Sequence, residues 1–334
     1  ISKHSYVDFA LWGGIVGDYD NQPGSVKNNM ADLVDLHKCG VAAFKGFTCP
    51  NGDLFPTVNM GNVRKALEIL KPYGALCGFH CEEFGQVLER EKEAKAKTER
   101  TSEEKIRNFL DSHDVWTEYV ATKNVIDMAR ATGGRVHICH VSHPMVAQVV
   151  KDAIHEGLPI TAETCPHYLG FTEDFVFEKG APAKCTPPMR RKEDMERLWD
   201  YVLDGTLSCV GSDHSPAADE EKDNSTKDIW HAWGTMIPAA TAIIPLLSVR
   251  CVPPHPAIFN KLWFKYSIGN PILKGDNPQR KHKKHCQEQQ VNHGKPSQIP
   301  AFFHGIHAGD MLIRNKARHG GNEGSQPSQI RPHN

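Results

Sequence analysis

The sequence holds 334 residues, 39% hydrophobic and 24% charged, with a formal net charge of -1; that is enough apolar material for a sizeable core and too balanced a composition for a disordered chain. The near-neutral charge gives no reason to expect nucleic acid or an anionic membrane as partner and suits a small uncharged ligand. No run approaches the roughly 20 apolar residues of a membrane span, and the opening ISKHSYVDFALWGG lacks a basic start followed by a long apolar core, so the expected location is the cytoplasm.

Between residues 6 and 216, short β-like runs alternate with longer helical stretches, the pattern of a parallel sheet assembled from βα units. In chain order, strands are predicted at VDFALWG, VAAFKGF, ALCGFH, RVHICHVS, PITAET and LSCVGSD. The stretches NNMADLVDLHKCG, NVRKALEILKPYG, VIDMARATGG, MVAQVVKDAIHEG and MERLWDYVLDG read as amphipathic helices ending at Gly, a frequent helix stop. The mixed-charge run from Glu89 to Asp114 reads as a solvated helix with i,i+4 pairs rather than a binding tail. None of the 10 cysteines forms a CxxC pair, and Cys77, Cys139 and Cys209 fall inside apolar runs, which favours buried thiols over disulfides.

After Leu247 the periodicity fades, and from Lys274 the chain is rich in His, Lys, Gln, Gly and Pro. Residues 1–247 are therefore expected to form the folded domain and 248–334 a poorly packed tail. The basic hexamer RKHKKH at 280–285 has no interleaved aromatics and no ordered ligand spacing, so neither a nucleic-acid patch nor a metal site is read from it. The fold class is α/β: a partial TIM-type (β/α)8 barrel, with about six of its eight strands recognisable.

Four of the apolar runs end on residues able to hold a metal: Lys45, His80, His140 and Asp213. Singly, each has a plain reading: a histidine satisfied in the core, a lysine reaching for solvent, an aspartate capping a helix. Together they stand at the same end of separate strands, where a barrel of this type gathers its active site.

The ordered motifs DFALWGG, FKGF, HCE, HICHVS, ETCPHYL, AKCTPPMR and GSDHSP give residues 7–240 a resemblance to the cyclic amidohydrolases, which include allantoinase, dihydropyrimidinase (hydantoinase) and dihydroorotase; WGG, CTPPMR, SDHSP and HAWGT are most similar to allantoinase. The resemblance implies hydrolysis of a ring amide, allantoin to allantoate, in a homo-oligomer. It implies two divalent metals per complete chain, zinc being the expected identity, bridged by a carbamate on Lys45. His80 and His140 would complete one metal's protein ligands, while Asp213 would bind the other and act as general base and acid. A water whose pKa the metal lowers towards about 7 would attack the ring carbonyl. Glu163, His167 and His214 would orient ligands or fix loops, and the backbone around Thr186, stiffened by two prolines, would hydrogen-bond the ring. His137, three residues before His140, is expected on the opposite strand face.

The family's first barrel strand carries a His-X-His pair, and this sequence has none. The resemblance therefore implies that one metal would keep only the carbamate and Asp213, that the chain would hold one cation in place of two, and that binuclear activity would be impaired. Dihydropyrimidinase or dihydroorotase activity, or a non-catalytic fragment binding at most one metal, are the alternatives.

Overall fold

The computed structural model describes residues 8–17, 28–51, 55–98, 101–215, 218–223, 228–232 and 234. The expected domain boundary at 247, the tail 248–334 and the basic hexamer lie outside the described residues.

Six strands, β1 (Trp12–Gly14), β2 (Ala43–Phe47), β3 (Leu76–His80), β4 (Arg135–Ile138), β5 (Ile160–Thr164) and β6 (Cys209–Val210), form one parallel sheet in the order in which they occur in the chain. Helices α1 (Leu33–Lys38), α2 (Met60–Leu70), α3 (Phe84–Ala96), α4 (Ser102–Ser112), α5 (Val115–Thr132), α6 (Pro144–His155), α7 (Pro166–Gly170), α8 (Glu173–Lys179) and α9 (Lys192–Leu203) fill the crossovers, and α10 (Asp219–Lys222) follows β6. All-parallel order with helical crossovers is the βα progression of a (β/α)8 barrel, here six successive strands of it.

The five predicted helices are present, and their ends show why. An Asn59–Asn62 capping box opens α2, Asp114 accepts from the backbone of Trp116 and Thr117 to open α5, and Gly133 closes α5 in the left-handed conformation. The mixed-charge run is two helices rather than one. A second capping box, Thr101 with Glu104, restarts the chain at α4.

Strand register sorts side chains into two surfaces. Phe44, Cys77, Val136 and Ile160 align across β2 to β5 and join the core that includes Leu67, Ala129 and Val150 from the helices. The alternate row, Gly14, Lys45, Gly78, His137 and Thr161, therefore faces the barrel interior. Gly78 is required there: a Cβ would come within 2.5 Å of the Trp12 indole and 3.2 Å of the Cys139 sulfur. Trp12 fills the space, its ring edge-on to His137.

Candidate metal centre

Lys45 is the middle residue of β2, two residues short of the strand end, and is buried. Burial opposes its charge, but Cys139, whose sulfur accepts from the amine, and the carboxylates of Asp213 and Glu163 hold its pKa above the usual lysine value. His80 is the last residue of β3. Thr48, just past β2, donates its hydroxyl to the His80 and Glu82 carbonyls at 2.9 Å each, fixing the turn that carries the imidazole.

The ladder continues past β4: Cys139 N–H bonds the Phe79 carbonyl and Val141 N–H the Glu163 carbonyl. His140 sits between these two bonds with φ of 42°, a left-handed backbone that a residue with a Cβ adopts only against a steric cost. Asp213, three residues past β6, has φ of 47°. Strain of this kind persists where surrounding structure demands one side-chain direction, and such positions cluster at functional sites.

The result is convergence. The rings of His80 and His140 meet edge to face with centroids 4.5 Å apart. The Nδ1 of His140 is buried without a hydrogen-bond partner. Burial first, then the Lys45 and His80 charges, pushes the pKa of His140 well below the usual histidine value, so its imidazole is neutral and able to act as a ligand.

The structure places the remaining sequence candidates as follows. Glu163, at the C-terminal part of β5, lies 3.7 Å from His137 Nε2 and faces Lys45; burial works against its charge, yet His137 and Lys45 hold its pKa below the usual carboxylate range. His167 opens into the same region from α7, and burial lowers its pKa to about 3; its Nδ1 and that of His214 are buried without partners. Thr186 stands apart: its backbone N–H donates to the Gly234 carbonyl at 3.0 Å.

His137 departs from the expectation of opposite faces. The strand stops at Ile138 and the left-handed turn at His140 breaks the two-residue alternation, so His137 shares the inner surface with Lys45. There it is 2.8 Å from the Thr161 hydroxyl. Cys209 likewise is only half-buried, whereas Cys77 and Cys139 are buried; all eight described cysteines are free thiols.

Sequence reasoning missed a buried polar network behind the imidazoles. His80 Nε2 is 2.7 Å from one oxygen of Glu82, and the other oxygen lies 2.8 Å from His113 Nδ1, whose Nε2 reaches Glu91 at 3.1 Å. Burial opposes the Glu82 charge, but His113 and His80 bring its pKa well below the carboxylate range. An ionised Glu82 accepts the Nε2 proton of His80 and leaves Nδ1 with its lone pair. The sole sequence signal was Glu82 in the HCE motif; His113 stands 31 residues away.

His113 also makes stability depend on pH. Burial lowers its pKa, but Glu82 and Glu91 outweigh burial and raise it from 6.5 to about 9. A raised folded-state pKa gives a contribution that is complete below about 6.5 and is lost as pH rises through about 9. The urea-unfolding gap between wild type and His113→Gln is therefore expected to be on the order of a few kcal/mol near pH 6 and to narrow by about pH 10. A gap that is flat across that range would contradict the charged His113 assignment.

The residues present fit a divalent cation. Two adjacent imidazoles, one with a neutral ring and an orphaned nitrogen, lie close to Lys45, which in turn faces Asp213 and Glu163; as an ammonium Lys45 would repel a cation, so the fit requires its amine to be carboxylated. Among the described residues, the groups of three His, Cys, Asp or Glu whose ligand atoms lie within 4.8 Å of one another are Cys49 with His80 and Glu82, and His137 with Cys139 and Glu163; His80, His140 and Asp213 do not form such a group. Burial raises the thiol pKa of Cys49 well above its usual value and that of Cys139 to about 12, which keeps both sulfurs protonated and disfavours them as ligands.

No family model matches the chain. Among curated proteins it is 33% identical over 248 residues to the allantoinase of Deinococcus radiodurans, covering 73% of this chain and 51% of that protein. With the allantoinase of Solibacter usitatus it shares 34% over 248 residues, covering 74% and 51%. The L-hydantoinase (dihydropyrimidinase) from Arthrobacter aurescens matches with a TM-score of 0.64 at 27% identity, covering 72% of this chain and 50% of that one. The chain belongs to the cyclic amidohydrolase family. It spans about half the length of the curated relatives it matches.

Proposed function

We propose that this cyclic amidohydrolase chain hydrolyses a ring amide, with allantoin as substrate and allantoate as product. The observation that carries the reading is the convergence of Lys45, His80, His140 and Asp213 at the C-terminal side of the sheet, with His140 and Asp213 held in left-handed backbone. Similarity to two allantoinases supports the choice of substrate.

Lys45, as a carbamate formed by addition of carbon dioxide to its amine, would hold a divalent cation with His80 and His140, and Asp213 would hold a second. Zinc is the proposed identity. Bound there, a cation supplies Lewis acidity towards the ring carbonyl and lowers the pKa of water. Asp213 accepts the proton of the attacking water and passes it to the departing ring nitrogen. Glu163, His167 and His214 orient these groups, and the backbone carbonyl of Thr186, whose N–H is held by Gly234, accepts from the ring. Trp12 and His137 close the inner surface against bulk water.

No described helix is long and apolar enough to cross a membrane. The free thiols suit a reducing compartment, which supports the cytoplasm, where we place the protein as a homo-oligomer.

Turnover of allantoin, hydantoin, dihydrouracil and dihydroorotate by the purified, metal-supplemented chain tests the reading. Allantoin is expected to react fastest; inert allantoin beside reactive dihydrouracil would replace it with a dihydropyrimidinase. A second reading is one cation bound without turnover. One metal per chain by elemental analysis, with all four compounds inert, would establish it.

A further inference from the structure

Behind the two imidazoles, Arg190 reaches three separate segments. Its Nε donates to the Ser142 hydroxyl at 2.9 Å, one terminal nitrogen to the His113 carbonyl at 2.7 Å, and the other to Glu118 at 3.1 Å. Glu118 in turn accepts from the Ser142 backbone N–H and hydroxyl. The Arg190 and Glu118 side chains are 9% and 2% exposed, so this is a desolvated fork rather than a surface ion pair.

Ser142 lies two residues past His140, on the same loop. His113, whose carbonyl Arg190 holds, carries the ring that fixes Glu82, and Glu82 fixes His80. The two imidazoles therefore have separate supports that join at His113. Arg190 also ends the CTPPMR loop, so the segment carrying Thr186 is tied to the same point.

We infer that Arg190 and His113 are positioning residues of a single brace that sets the spacing of His80 and His140, and with it the affinity of the site for a divalent cation. The inference rests on the metal-site reading above. A lysine cannot replace the fork, because one ammonium on a flexible stem does not present fixed donors to three acceptors at once.

The test uses the full chain, freed of metal and titrated with Co2+, whose visible absorption reports ligand geometry. Arg190→Lys and His113→Gln are each expected to weaken Co2+ binding by about 10–100-fold and to alter the absorption envelope. The double variant is expected to lose less than the product of the two singles, as members of one network do. Ser142→Ala, which removes one leg and keeps Arg190, is expected to give a smaller shift in the same direction and serves where the larger changes prevent folding. Trp199→Phe, which breaks a buried hydrogen bond to the Leu169 carbonyl, is expected to lower thermal stability without changing the cobalt spectrum.

A wild-type cobalt band with brace variants that lose only thermal stability, at unchanged affinity and spectrum, would overturn the brace and leave the metal site standing. A wild-type chain with no cobalt band sensitive to His140→Ala would overturn the metal site, and the brace with it.

Discussion

His140→Ala is expected to abolish tight divalent-cation binding at the barrel mouth, a loss larger than the roughly 10–100-fold that removal of an outer supporting group costs. The side chain removed is a buried, neutral imidazole whose Nδ1 has no other partner. A second substitution separates ligand loss from damage to the fold. At φ of 42° an alanine keeps the steric cost of left-handed backbone whereas a glycine does not. His140→Gly should therefore be more stable than His140→Ala by about 1 kcal/mol, with metal binding lost in both. Isothermal titration and urea denaturation read the two quantities independently. Retention of metal by either variant would remove His140 from the site.

Asp213→Asn is expected to lower turnover of allantoin by about 10^2–10^4-fold, the range for loss of a positioned proton-transfer group. Asn matches Asp in shape and tolerates left-handed backbone, so the φ of 47° is accommodated and the melting temperature should barely move. The change leaves an amide that cannot accept the proton of an attacking water. Steady-state rates for wild type and variant, each at saturating substrate, decide the matter; a variant within about threefold of wild type would leave Asp213 outside the general acid–base chemistry.

How much of this was legible in the sequence depended on whether the signal was local. The six strands stood out because each is a short apolar run, and the helices because glycines and capping residues punctuate them. The boundary between α3 and α4 was equally local, written in the Thr101–Glu104 capping box, but the surrounding charge concealed it. Strand ends were less readable: β1 is confined to Trp12–Gly14 and β6 to Cys209–Val210, because hydrogen-bond pairing with a neighbour, not hydropathy, ends a strand. His137 was misplaced for the same reason, since two-residue alternation holds only while the strand lasts.

The polar network was out of reach of pattern reading. Glu82 meets His113 across 31 residues, and Arg190 meets Glu118 across 72. No periodicity relates such positions. Their roles come from the packing of distant segments against one another, while the motifs HCE and CTPPMR marked only one partner in each contact.

The indole of Trp12 against Gly78 also decides what occupies the inner face of the sheet. The ring stands against Gly78 with His137 edge-on to it, so side chains occupy that part of the inner face of the sheet. Among the described residues, the loops that follow strands β3 to β6 leave from the opposite, C-terminal side of the sheet, where His80 and Asp213 stand. Substitutions at Trp12, Gly78 or His137 are therefore expected to act through packing of the inner face, apart from the loops that carry Asp213 and Thr186.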